Sequence, residues 1–295
     1  MLNLMIEPTN RCTLRCPTCF SHQDGRNKRD MGIKEFKRII DANANLIKTL
    51  SLYNYGEPFV NNNLMEMVFY AKNKGIHYVK VATNGMHLTK PKIKKILNSG
   101  LDYLSISLDG AIKETYDKFR IGGRFQRVVS NIHNLARAKK AAGSNLSIEV
   151  QFIIMRHNEH EIADIANLAM NLGVDFLRLK TVLIKKHKWK YLLPVYPQHS
   201  RYIQKRGSNK CLKPLKELVI NSDGTVIPCC YIVGKDIKKF KIGNIFNVSL
   251  QEILNTNKYR EFIKKCTIEK SSLSCCVNCN EGSRDLNHRL IKLFI

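Results

Sequence analysis

The chain has 295 residues, 44% of them apolar, and carries 49 Lys and Arg against 24 Asp and Glu for a formal charge of +25. That length can bury a sizeable core as one large α/β domain or a domain with an appendage, and the composition is that of an ordinary globular protein. No run approaches about 18 uninterrupted apolar residues and no basic segment with an apolar core opens the chain, so no membrane span and no secretory signal are expected, and the cytoplasm is the expected compartment.

In chain order, residues 1–6, "MLNLMI", predict a strand that runs directly into a cysteine loop. Phe36, Ile39, Ile40 and Ile47 recur at helical spacing and predict a helix from about Ile33 to Lys48. A short apolar run, "TLSLYNY", precedes a helix from about Asn63 to Lys74 and the strand-like "HYVKVATN". "PKIKKILNSG" opens with proline and closes with glycine, as a helix does. "DYLSISLDG" alternates as a strand, a helix is expected from about Gln126 to Ala142, and "LSIEVQFII", "EIADIANLAMNLG" and "VDFLRLKTV" follow as strand, helix and strand. Strands separated by helices predict successive βα units, a parallel sheet and, with right-handed crossovers, a curved sheet or partial barrel with helices outside. The pattern stops near Val182; residues 183–210 are basic and irregular and read as a linker or substrate-facing segment.

The ten cysteines are uneven: three lie within 12–19, seven within 211–279 and none between. In a reducing compartment such groups are thiolate ligands more often than disulfides, which suggests one metal centre near each end. Cys12, Cys16 and Cys19 follow the first strand and so sit at its carboxyl end, where parallel α/β sheets bind ligands. Three thiolates would leave one iron of a [4Fe–4S] cluster open, whereas a zinc site would recruit a fourth ligand such as His22.

The C-x3-C-x2-C spacing of "CTLRCPTC", just after an N-terminal strand, resembles the signature of radical S-adenosylmethionine (radical SAM) enzymes. The resemblance implies a partial (β/α)6 TIM-like barrel, with the methionyl amine and carboxylate chelating the open iron. An electron, supplied by a donor of flavodoxin or ferredoxin type, then breaks the S–C5′ bond, and the resulting 5′-deoxyadenosyl radical abstracts hydrogen from the substrate. "YNYGEP" resembles the family's Gly-Gly-Glu-Pro element, which assigns Tyr55, Gly56, Glu57 and Pro58 to the methionyl amine, with Tyr55 in place of the first glycine. By the same resemblance "ATNG" brings Asn84, "SISLDG" brings Ser107 and Asp109 toward the ribose, and "QFIIM" brings Ile154 toward adenine.

"CLKPLKELVINSDGTVIPCC" has the C-x12-G-x4-C pattern that opens the SPASM extension found behind many radical SAM enzymes, and its Asp-Gly predicts a hairpin turn. The resemblance implies that Cys211, Cys229, Cys276 and Cys279 close a second, auxiliary [4Fe–4S] cluster. Cys230, Cys266 and Cys275 remain without a role, and a structural zinc is the alternative. No cysteine follows Cys279, which argues for one auxiliary cluster, as in the shortened twitch domains.

The expected organisation is a radical SAM partial barrel over 1–182, a basic segment over 183–210 and a small cysteine-rich iron–sulfur domain over 211–295. The leading expectation is oxidation of a small polar or sugar-like substrate, with the auxiliary cluster accepting the substrate radical's electron. The alternative is maturation of a ribosomally made peptide; a motif beginning at residue 12 leaves no room for an N-terminal recognition domain, though a separate recognition protein could serve. A zinc-containing nucleic-acid-binding protein, suggested by the charge and the two cysteine groups, is the more distant alternative, because it leaves the ordered strand-end motifs without a purpose. Arg120, Arg124, Arg178 and Tyr191 could point inward toward a substrate but read first as surface or structural residues, and no catalytic acid or base is assigned.

Overall fold

The computed structural model describes residues 1–23, 25–202, 209–277, 279 and 288–293. The elements begin β1 (Leu2–Ile6), α1 (Ile33–Asn43), β2 (Ile47–Ser51), α2 (Leu64–Asn73), β3 (Tyr78–Thr83), α3 (Lys90–Asn98), β4 (Tyr103–Ser107), α4 (Lys113–Phe119) and α5 (Phe125–Ala141). They continue with β5 (Ser147–Ile154), α6 (Ile162–Asn171), β6 (Phe176–Thr181), α7 (Lys213–Lys216), β7 (Glu217–Ile220) and β8 (Thr225–Ile227). Last come α8 (Lys235–Phe240), β9 (Gly243–Asn244), α9 (Leu250–Asn255), α10 (Asn257–Glu269) and β10 (His288–Lys292). The βα alternation expected from the sequence is therefore present from β1 to β6. The chain forms two compact units, one of Met1–Cys12, Phe20–Lys80 and Arg206–Asp285, the other of Thr13–Cys19, Val81–Lys205 and Leu286–Ile295.

In the first unit β1 lies between β2 and β7, parallel to both, with Leu4 opposite Leu50 on one side and Leu218 on the other. Flanked on both sides, the five-residue strand buries Leu4 and Ile6 completely and leaves Leu2 and Met5 partly buried. Helix α1 buries Phe36, Ile39 and Ile40 on one stripe, and the Glu35 side chain reaches back to cap its start, Gly32 N–H donating to the Glu35 carboxylate at 2.7 Å. It is shorter than the expected helix. The Asn43 amide turns back to the Ile39 carbonyl at 2.8 Å, and Ile47, expected on the helix, instead opens β2 opposite Leu2. The Asp-Gly hairpin forms, Gly224 taking φ +79° and β7 pairing antiparallel with β8.

In the second unit β4, β5 and β6 run parallel, and β10 closes against β6 antiparallel. Leu104, Ile106, Ile148, Val150, Leu177 and Leu179 are buried on one face, joined by Val128, Ile132 and Leu135 of α5. The other face is polar: buried Glu149 accepts from Tyr103 Oη and Arg178 Nε at 2.5 Å and from Ser105 Oγ at 2.6 Å. Helix α4, which the sequence pattern did not reveal, buries Tyr116 and Phe119. The basic segment expected as a linker packs closely: Trp189 and Leu192 are buried, and Val195 and Tyr196 N–H both donate to Glu159. Its residues 203–208 lie outside the described set.

Candidate metal and cofactor centres

The loop leaving β1 is held before it reaches the first cysteine. Asn61 Nδ2 donates to the Pro8 and Met31 carbonyls at 2.8 and 3.0 Å, and Asn10 bonds Asn27 O and Arg29 N through the two ends of its amide. Glu57 N–H donates to the Arg11 carbonyl at 2.8 Å, so the strand-two loop lies along the backbone that delivers Cys12. Gly56 permits that approach: at φ +151° a Cβ would stand 2.1 Å from the Thr9 carbonyl oxygen. The Glu57 carboxylate accepts from Phe59 N–H at 3.1 Å, capping a short 3-10 turn that Pro58 opens.

Glu7, fully buried at the end of β1, organises the same region. Its carboxylate takes a bidentate pair from Arg26 at 2.7 and 2.9 Å and further bonds from Ser222 N and Oγ at 3.1 Å and Tyr55 N at 3.3 Å. Tyr55, the departure from the family's glycine, packs edge-on to Phe20 at 5.9 Å and donates its hydroxyl to the Cys230 carbonyl at 3.4 Å. Neither Glu7 nor Ser222 stood out in the sequence; the one signal was a carboxylate directly after an apolar strand.

In the second unit Cys16 and Cys19 are joined by a turn, Cys19 N–H donating to Cys16 O at 3.1 Å. The backbone after α4 lies against them, with Arg15 N–H bonded to Ile121 O at 2.9 Å and Gly122 at φ +87° passing close to Thr13. Asp109 is fully buried; Oδ1 accepts from Ile153 N at 2.7 Å and Oδ2 from Arg120 Nε at 2.5 Å. Both oxygens are thus engaged within the protein. Arg120, one of the residues that could point inward, has a side chain only 12% exposed, and its Nη1 lies 3.8 Å from Cys16 Sγ. Burial pushes the Cys16 thiol up, and the Arg120 charge pulls against it. Burial works most strongly against the charge on Arg120, but Asp109, Cys16 and Tyr116 together outweigh it and hold the guanidinium protonated. Asn84 folds an Asx turn onto Met86 N–H at 2.9 Å, Ser107 ends β4 opposite Gln151, and Ile154 ends β5 buried. Arg178 is half-buried on Glu149, Arg124 precedes α5, and Tyr191 is exposed.

The C-terminal cysteines converge. Cys211, Cys229, Cys276 and Cys279 line one cavity together with Cys266 and Cys275; Cys230 is not among its lining residues. Cys211 N–H bonds Cys266 O at 2.7 Å, Tyr231 N–H approaches Cys229 Sγ at 3.5 Å, and Cys279 N–H bonds Cys276 O at 3.0 Å. Burial pushes the Cys211 thiol up. Lys213 and Lys270 share the lining. Six cysteines in one lining, an amide N–H on sulfur and nearby ammonium groups suit an anionic thiolate-bound iron–sulfur centre, with more sulfur donors than the four that one cluster needs. Cys16 and Cys19, with Arg120 beside Cys16, lie in the second unit, and Cys12 ends the first stretch of the first unit.

Residues 6–169 match the family model of the radical SAM superfamily, and residues 211–280 match that of SPASM, an iron–sulfur cluster-binding domain. The tungsten-containing aldehyde ferredoxin oxidoreductase cofactor-modifying protein of Pyrococcus furiosus is 26% identical over 93% of this chain and 87% of its own length. The PqqA peptide cyclase of Bradyrhizobium diazoefficiens is 26% identical over 64% of this chain, which spans only 48% of that relative. Among solved structures, Streptococcus suis SuiB bound to S-adenosylmethionine has the same fold, with a TM-score of 0.74 at 16% identity over 95% of this chain and 72% of that one. With a cysteine loop after β1, a second cysteine group around one cavity, and both regions matched by the corresponding family models, this chain belongs to the radical SAM superfamily and carries a C-terminal SPASM domain.

Proposed function

We propose that this chain is a peptide-modifying radical enzyme in which Cys12, Cys16 and Cys19 hold the catalytic [4Fe–4S] cluster and Cys211, Cys229, Cys276 and Cys279 hold an auxiliary one. Bound at the first site, the cluster and S-adenosylmethionine together supply reductive cleavage and hydrogen abstraction from the substrate. The chain's own residues position that chemistry. Gly56 lets the Tyr55–Pro58 loop run against the backbone before Cys12, and the Glu57 N–H bond to Arg11 fixes it there. Ser107 and Ile154, at the carboxyl ends of β4 and β5, offer a hydroxyl and an apolar surface for the ribose and adenine. Lys213 and Lys270 offset the charge of the auxiliary centre. A flavodoxin- or ferredoxin-type protein is the proposed electron donor.

The observation that carries the peptide reading is the relative named as a peptide cyclase. The relatives reported above do not support the sugar-like oxidation expected from the sequence. A small non-peptide substrate is the second reading, favoured by the relative that matches most of both chains and is named for modifying a cofactor. Anaerobic incubation of the reconstituted protein with the short peptides encoded beside its gene, following 5′-deoxyadenosine and peptide mass together, tests the choice. A mass change in one peptide, dependent on S-adenosylmethionine, is expected. Unchanged peptides alongside a changed small molecule from cell extract would replace the first reading by the second.

A further inference from the structure

Arg120 is a long cation brought into the interior of the second unit and aimed at a cysteine. Its Nε and Nη2 both engage Asp109 Oδ2, and Nη1 is directed to Cys16 Sγ at 3.8 Å. Asp109 is itself fixed: Ile153 N–H donates to its Oδ1 and Asn158 Nδ2 to its backbone carbonyl at 3.0 Å. The next residues, Ile121 and Gly122, lie against the backbone of Arg15 and Thr13, so the guanidinium and the cysteine loop are held by one stretch of chain. Two carriers of charge, one cation and one anion, are thus stacked in line behind a single sulfur.

We propose that Arg120, oriented by Asp109, is a positioning residue that raises the reduction potential of the N-terminal cluster by donating an N–H to the Cys16 sulfur. The proposal rests on the reading of Cys16 as a cluster ligand. A cation and an N–H on a thiolate draw electron density from the iron, and the extra negative charge gained on one-electron reduction is stabilised more than the oxidised state. Asp109 acts in the opposite sense, because its anion offsets part of the Arg120 charge.

The test is potentiometric titration of the reconstituted full-length protein, read by electron paramagnetic resonance. The N-terminal cluster is recognised as the one whose spectrum changes on adding S-adenosylmethionine. Arg120→Met should shift that cluster's midpoint to more negative potential and slow reductive cleavage at fixed reductant about tenfold, leaving the auxiliary cluster's midpoint where it was. Asp109→Asn, which keeps an oxygen for Ile153 N–H, should shift it the other way. Opposite signs separate tuning from general loosening, which would move both variants alike. If Arg120→Met fails to assemble its cluster, Asp109→Asn and Arg120→Lys carry the test; an unmoved midpoint in those folded, iron-loaded variants overturns the proposal. Failure of the ligand reading is distinct, since Cys16→Ala would then keep the S-adenosylmethionine-responsive spectrum.

Discussion

One carboxylate, Glu7, satisfies six donors from three separate stretches of the first unit, with no water-facing surface of its own. Removing one member of a buried ion pair leaves the other charge uncompensated, so Glu7→Gln is expected to cost about 3 kcal/mol, measured by urea unfolding under anaerobic conditions. Adding Arg26→Met should then cost much less than it does alone, because both changes break the same pair. Gly56→Ala places a methyl against the Thr9 carbonyl and should cost on the order of 3 kcal/mol, while raising the dissociation constant for S-adenosylmethionine, as calorimetry on the reconstituted protein would register. His157 gives a pH dependence. Its Nε2 is buried without a partner, and burial first, then the Lys118 charge, lowers its pKa below the ordinary 6.5. The unfolded chain therefore binds the proton more readily than the folded one. Stability is fully present above pH 6.5 and falls as the pH drops through and below that value. Melting temperatures of His157→Gln should lose part of the wild-type decline between neutral and acidic buffer.

The elements that ligand chemistry depends on are short and held by neighbours rather than by propensity. Helix α7 has only four residues, yet Tyr259 Oη of α10 donates to Pro214 O at 3.0 Å and fixes it beside Cys211. Helix α10 buries Phe262 and Cys266 against the cavity that Cys229 and Cys276 also line. Replacing Cys276 and Cys279 by alanine should therefore lower bound iron from about eight to about four per chain, with the remaining cluster still responsive to S-adenosylmethionine. Cys230→Ser should retain about eight, since Cys230 is not in the lining. Iron analysis with absorption spectroscopy checks both. The hairpin carrying Cys229 was legible because Asp223-Gly224 has a local conformational requirement. That its first strand continues the sheet beyond β1 was not legible, because strand pairing between residues over 200 positions apart leaves no local pattern. Helix α4 escaped notice for a related reason: seven residues give too few turns for a periodicity to register.

Across the entire chain, the two cysteine groups should be separable in function. Alanine at Cys12, Cys16 and Cys19 together is expected to abolish formation of 5′-deoxyadenosine while the C-terminal group keeps about four irons, as chromatography of the nucleoside and iron analysis would report. The reasoning from sequence reached this division because metal ligands that chelate from one loop must lie within a few residues of each other, so C-x3-C-x2-C is written in the chain itself. Alternating strands and helices up to Thr181 were readable for the same reason, since burial on one face repeats at short period. Only the tertiary structure decided which side chains meet across long separations. It put Asp109 on Arg120, brought Arg120 to Cys16, gathered Cys211, Cys229, Cys276 and Cys279 around one cavity, and drew Glu7 onto Ser222. Those pairings depend on how finished elements pack, and the energy that selects them is the cost of leaving a buried charge or donor unmatched.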